Sequence, residues 1–240
     1  MLNILVFDND ETTGFYGHYM NYMWYILTMS DGVKVSLVEL ISVIINHCEK
    51  CNVFRHGLKD FLNEVRIAKE TGKIDKVMMY TNYLETGSTI DVSGINFNYT
   101  EFLSACLGTL AGDISLFDII LTRLVKDETV IYPPKSFDRL RSTIEDRARF
   151  LFYEDKPEEV RDISSKDSLI KIEPYISPLN YLHLKPALVE IHSLVDIKWS
   201  FDVILKTILP TFKNISTKPV VHKESWENIW KLDQFRAWLI

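Results

Sequence analysis

Asp8 and Asp10 are the first residues whose types and spacing suggest chemistry. They come directly after Leu2-Asn-Ile-Leu-Val-Phe7, an apolar run short enough for a strand buried on both faces. Just past a strand end, residues two apart can both turn into one crevice. Two carboxylates so close repel unless a cation or a proton lies between them. Mg²⁺ suits such a pair, because it favours oxygen ligands and keeps waters beside a substrate phosphate. Asp8 could attack phosphorus to give an aspartyl-phosphate, which splits one hard displacement into two easier ones. Asp10 would protonate the leaving oxygen and then deprotonate the hydrolytic water. The competing reading is an acid-rich surface turn or helix cap, and Asp8-x-Asp10-x-Thr12 alone does not choose between the two.

Two further strand ends carry matching chemistry. Lys76-Val-Met-Met-Tyr80 runs into Thr81-Asn82, and Phe150-Leu-Phe-Tyr153 runs into Glu154-Asp155. Thr12, Thr81 and Asn82 could hydrogen-bond phosphoryl oxygens. Lys135 offers the positive charge that a nucleophilic carboxylate and a transferring phosphoryl group require. Glu154 and Asp155 would complete a metal site with Asp8 and Asp10. Taken singly, such a Thr is a strand cap, such a Lys a surface charge, and such an acidic pair the start of a loop. The force of the set lies in its order and in its placement at strand ends.

The elements that must position these residues are legible as alternating types. Helical spacing of apolar residues marks 33–48 and 57–70, the second closed by Thr71-Gly72. Residues 85–100 contain Gly, Ser and Asn and are expected to form a loop, and 100–111 a helix. Phe117 to Leu121 and Val130 to Tyr132 suit extended segments; Pro133-Pro134 then breaks the chain before a basic helix at 136–141. Short apolar strands alternating with helices predict an α/β fold with a mainly parallel sheet. Ligands of such sheets bind beyond the carboxyl ends of the strands.

The four stretches together resemble the haloacid dehalogenase (HAD) superfamily of phosphatases. Ile4-Leu-Val-Phe-Asp8-Asn-Asp10-Glu-Thr12 is similar to its first motif, Thr81 to its second, Lys135 to its third and Glu154-Asp155-Lys-Pro157 to its fourth. Phe54-Arg-His-Gly-Leu-Lys-Asp-Phe-Leu62, Tyr80-Thr81-Asn82, Phe117-Asp-Ile-Ile-Leu-Thr-Arg123 and Lys135-Ser-Phe-Asp-Arg-Leu140 resemble the branch of RNA polymerase C-terminal-domain phosphatases and NLI-interacting-factor-like proteins. The Asp-Asn-Asp-Glu-Thr-Thr-Gly form also resembles relatives in large DNA viruses. His56 replaces a usual Pro, and Glu11 stands where many relatives have Gly.

The resemblance implies a Rossmann-like core over 1–14 and 53–177, with helices on both faces of the sheet. A cap or flap would occupy 15–52, and a C-terminal helical extension 178–240. It implies a Mg²⁺-dependent phosphomonoesterase with Asp8 as nucleophile, Asp10 as acid/base and a metal held by Asp8, Asp10, Glu154 and Asp155. The implied substrate is a phosphoserine or phosphothreonine protein segment. Alternatives are a small-molecule or polynucleotide phosphatase of the same chemistry, and a binding or scaffold protein on the same fold.

The 240 residues are 47% hydrophobic with a formal net charge of −6, which argues against bulk nucleic-acid binding. Three cysteines, Cys48, Cys51 and Cys106, are too few for a disulfide framework. With neither a signal-peptide pattern nor an apolar span, a cytoplasmic or nuclear location without membrane contact is expected. The Cys48-x-x-Cys51 pair lacks a second pair for zinc, so buried thiols are expected. The aromatics Phe15, Tyr16, Tyr19, Tyr22, Trp24 and Tyr25 are read as packing for a cap. Arg139, Arg141, Arg147 and Arg149 are read as a solvated helix or a phosphate-guiding rim. Beyond Pro178, Trp199, Trp226, Trp230 and Trp238 are expected to dock helices on the body.

Overall fold

The computed structural model describes residues 1–16, 19–81, 88–122, 124–126, 129–131, 135–144, 147–175, 181–208 and 223–240. The chain begins with β1 (Leu2–Phe7), α1 (Tyr19–Thr28), β2 (Gly32–Val33), α2 (Leu37–Lys50) and α3 (Leu58–Glu70). There follow β3 (Lys76–Tyr80), β4 (Ile90–Val92), β5 (Ile95–Phe97), α4 (Tyr99–Leu110) and β6 (Ile119–Leu121). Then come β7 (Leu124–Lys126), β8 (Thr129–Ile131), α5 (Phe137–Ser142), β9 (Ala148–Glu154) and β10 (Ser168–Lys171). The last part holds α6 (Tyr181–Ser193), β11 (Val195–Asp196), α7 (Phe201–Ile208), α8 (Trp226–Ile229) and α9 (Leu232–Trp238).

Five strands form a parallel sheet in the order β10–β9–β1–β3–β6, flanked by helices, a Rossmann-like α/β arrangement. The apolar run behind Asp8 is the middle strand because both of its faces are buried. Ile4 and Val6 point to one side with Met78, Tyr80, Phe150 and Phe152, where Phe137 and Leu140 of α5 cover them. Leu5 and Phe7 point to the other with Val77, Met79, Leu151 and Tyr153, towards Phe61 of α3. This two-residue alternation is the strand period itself. It leaves the strand ends at one edge. Phe7 pairs with Met79 and with Tyr153, so Asp8 emerges between Tyr80 and Glu154.

Several expectations need correction. Residues 90–97 are not loop but the β4–β5 hairpin, whose two-residue turn Ser93-Gly94 has φ of 57° and 82°. Positive φ at both positions is the turn geometry that matches strand twist, and the Asp91 carboxylate secures it by accepting from the Gly94 amide. The helix predicted from Val33 starts only at Leu37, where Ser36 caps it by accepting from the Glu39 amide. Val33 belongs instead to β2, paired antiparallel with β11. The expected strand Phe117 to Leu121 contracts to its last three residues. The edge strand β10 escapes the sequence pattern because its only apolar residues, Leu169 and Ile170, sit between Ser168 and Lys171.

Arg139 and Arg141 lie in α5, where a basic helix is expected, but Arg149 does not belong to it. Arg149 lies in β9 and donates to Asn3 and to the Trp238 carbonyl. Arg139 donates to the Thr122 carbonyl, and Arg141 pairs with Asp138 and Asp167. Helices α6, α8 and α9 pack at two places. Helix α6 packs on α1 and α2, whereas α8 packs on α3, and α9 sends Phe235 against Phe61. Trp230 and Trp238 are buried, but Trp199 is 54% exposed, against the expectation that all four tryptophans dock. Among the described residues no helix is long and apolar enough to cross a membrane.

Candidate active site

The chain folds sharply after Asp8. Thr13 donates its amide to the Asn9 carbonyl, Glu11 donates to Gly14, and Phe15 donates to Val53. The loop from Asp8 to Gly14 is thereby laid against 53–55. Gly14 is required there, since a Cβ would stand 2.7 Å from the Val53 carbonyl oxygen and 2.8 Å from the Tyr16 ring. Glu11 has φ 61°, a left-handed conformation that a residue with a Cβ adopts at a cost.

Asp8, Glu154 and Asp155 are all buried, and each places a carboxylate oxygen within 4.8 Å of the others. Lys135 lies between two of them, its ammonium 2.5 Å from Asp8 Oδ1 and 2.7 Å from Glu154 Oε2. The Lys156 amide donates to Glu154 Oε1. Thr12 is fully buried, with its hydroxyl 3.2 Å from both Asp8 Oδ2 and Asp155 Oδ1. One hydroxyl proton serves one of these oxygens at a time, so the pair is only partly satisfied. Asp155 Oδ2 is buried and accepts no hydrogen bond from the described residues; the Lys156 ammonium is 3.9 Å away.

Among the described residues Lys135 faces two of the three carboxylates, and the cations near Asp155 are Arg55 and, at 3.9 Å, Lys156. Burial raises the Asp8 pKa, and the Asp155 charge adds to that, while Lys135 opposes it. Glu154 is pushed up to about 8, first by burial and then by the Asp8 charge. Burial by itself would lower Lys135, but the two carboxylates around it outweigh that and hold it protonated. Three convergent carboxylates with an orphaned oxygen offer the all-oxygen donor set that a hard divalent cation requires.

Asp10, two residues after Asp8, is exposed. Its carboxylate accepts from the Tyr16 amide at 3.1 Å. The protein packed along one side raises its pKa, and the Asp8 and Asp155 charges push the same way. Its carboxylate is not among the three that converge. Thr81 is buried at the end of β3, its amide donating to Leu121. Asn82 lies outside the described residues. Thr12, expected to face a phosphate, instead spends its hydroxyl on the carboxylates.

Sequence reasoning passes over Arg55 as a site residue. Its guanidinium donates to the carbonyls of Thr12, Glu11 and Glu173 at 2.6, 2.5 and 2.5 Å. Burial lowers its pKa to about 10. The only signal is its place in Phe54-Arg-His-Gly57, which does not distinguish a buried Arg from a surface one. The three cysteines are buried free thiols, and burial pushes Cys51 up to about 11. No protein-family model, no curated protein and no solved structure matches the chain.

Proposed function

We propose that this chain is a Mg²⁺-dependent phosphomonoester hydrolase that works through an aspartyl-phosphate on Asp8. The observation that carries the reading is the buried set Asp8–Lys135–Glu154 with the unsatisfied Asp155 Oδ2, at the carboxyl edge of a parallel sheet. Asp8, Glu154 and Asp155 would hold the ion. Bound there, Mg²⁺ supplies charge that screens the nucleophile from the negative phosphate oxygens.

The chain's own groups then divide the work. An Asp8 oxygen forms a bond to phosphorus as the bond from phosphorus to the ester oxygen breaks. Asp10, beside the nucleophile, delivers a proton to the leaving oxygen. The departing alcohol makes room for water. Asp10 takes a proton from that water as it attacks phosphorus, releasing inorganic phosphate and restoring Asp8. Lys135 holds the Asp8 carboxylate in place and offsets charge throughout. Thr81, at the neighbouring strand end, would bind a phosphoryl oxygen. By the resemblance to C-terminal-domain phosphatases, the substrate is a phosphoserine or phosphothreonine segment.

The test is hydrolysis of an aryl phosphate with and without Mg²⁺. Wild type should turn over only with the metal, and Asp8→Asn should lose about 10⁴-fold or more in kcat. Activity that survives Asp8→Asn would overturn the mechanism. A panel of phosphopeptides, nucleotides and 3′-phosphorylated oligonucleotides then assigns the substrate; activity confined to the nucleic-acid members would sink the protein-phosphatase reading.

A further inference from the structure

Glu11 sits one residue beyond Asp10, with φ 61°. Its carboxylate reaches the half-exposed Lys156, at 3.6 Å. Its carbonyl, by contrast, is held from two directions. Arg55 donates to it at 2.5 Å, and the Tyr175 amide donates at 2.8 Å. Arg55 also grips the next carbonyl, Thr12, through Nε, while its amide donates to Thr13. One side chain therefore fixes two successive peptide units of the bend that separates Asp10 from Thr12.

Arg55 is itself clamped by aromatic rings. Its guanidinium lies 5.4 Å from the centre of Tyr175 and 5.8 Å from Trp230. Trp230 belongs to the last part of the chain, yet it is fully buried. It stacks on Phe61 at 4.7 Å, donates Nε1 to the His56 carbonyl and accepts from the Tyr153 hydroxyl through its own carbonyl. Both anchors are next to the site: His56 adjoins Arg55, and Tyr153 precedes Glu154. Gly57 completes the fit, since a Cβ there would lie 2.0 Å from Trp226 Cβ.

We propose that Arg55, clamped by Trp230, is a positioning residue that holds Glu11 in its left-handed conformation and thereby sets Asp10 and Thr12 about the buried carboxylates. The residues after 222 are then part of the site's framework. The catalytic consequence rests on the phosphohydrolase reading; the conformational one does not.

The experiment is a double-mutant cycle between Arg55→Met and Glu11→Gly, with Trp230→Leu as a milder way to loosen Arg55 if Arg55→Met fails to fold. Glycine adopts positive φ freely, so it should need Arg55 less than Glu does. Arg55→Met is expected to speed amide exchange over residues 10–13 and to cut kcat by about 100-fold, with KM little changed. Glu11→Gly should return about 10-fold of that loss in the Arg55→Met background, and far less in wild type. Glu11→Ala, which removes the same carboxylate but keeps a Cβ, should return nothing. Unchanged exchange at 10–13 in both Arg55→Met and Trp230→Leu overturns the proposal, as does equal rescue by Ala and Gly. If wild type hydrolyses no phosphate ester, the functional reading fails, while the exchange data still decide what Arg55 does.

Discussion

The loop from Asp8 to Gly14 lies between two regions built on opposite principles. On one side, Asp8 and Glu154 share Lys135, Asp155 lies beside them, and one of its oxygens has no hydrogen bond from the described residues. On the other, Arg55, Tyr175, Trp230, Phe61 and Tyr153 interlock, with the guanidinium, the indole N–H and the Tyr153 hydroxyl all bonded to carbonyls. The first region is poor in partners and rich in charge, so it destabilises the fold unless a cation joins it. The second buries large aromatic area with its polar atoms satisfied, which stabilises. The strained residue Glu11 stands where they meet. A carboxylate cluster can be kept under-satisfied because the adjoining packing over-determines the loop that carries part of it.

The contrast can be broken in four ways, in decreasing order of effect. Lys135→Met should be the most damaging to stability in EDTA, by about 3–5 kcal/mol, because it strands buried carboxylates without a counterion. Denaturant midpoints would show it, and added Mg²⁺ should recover much of the loss. A midpoint equal to wild type in EDTA would mean that the cluster is not under charge strain. Trp230→Ala should cost a similar or slightly smaller amount, about 3–5 kcal/mol, but through a cavity. Mg²⁺ should then recover none of the lost packing, and recovery would erase the distinction between the two regions.

A pH series sharpens the charged side. Glu154 titrates near 8 in the folded chain against an ordinary value of 4.5, so between those values the folded state binds more protons than the unfolded one. Its contribution is therefore stabilising at low pH and is lost as pH rises towards 8. Metal-free protein should show falling denaturant midpoints from about pH 5 to pH 8, and Glu154→Gln should flatten that slope. A midpoint that rises over the same range would contradict the assignment. The smallest effect is expected far from both regions. Trp199→Ser, at an exposed ring, should change stability by no more than about 0.5 kcal/mol in thermal melts.

Much of this arrangement is legible in the sequence. The runs ending at Phe7, Tyr80 and Tyr153 mark buried strands by their length and by the polar residues at which each one stops. Their parallel pairing then brings Asp8 and Glu154 side by side, as the alternation of elements implies. Lys135 stands out for the charge the chemistry needs, and it lies across from Asp8 despite a separation of 127 residues. Where the local pattern is short or mixed, it misleads. Ile90-Asp-Val92 is too brief to show an alternation, and the polar ends of β10 disguise an edge strand.

Residue type and spacing determine the backbone period, the strand ends and the stock of charged groups, because these depend on near neighbours along the chain. They leave open which partner each group finds. Thr12 turns inward to the carboxylates, Arg55 goes to backbone carbonyls, and Trp230 reaches the His56 carbonyl across 174 residues. Those choices depend on which surfaces the folded chain brings into contact and on which buried polar atoms would otherwise go unpaired. Only the tertiary structure settles that.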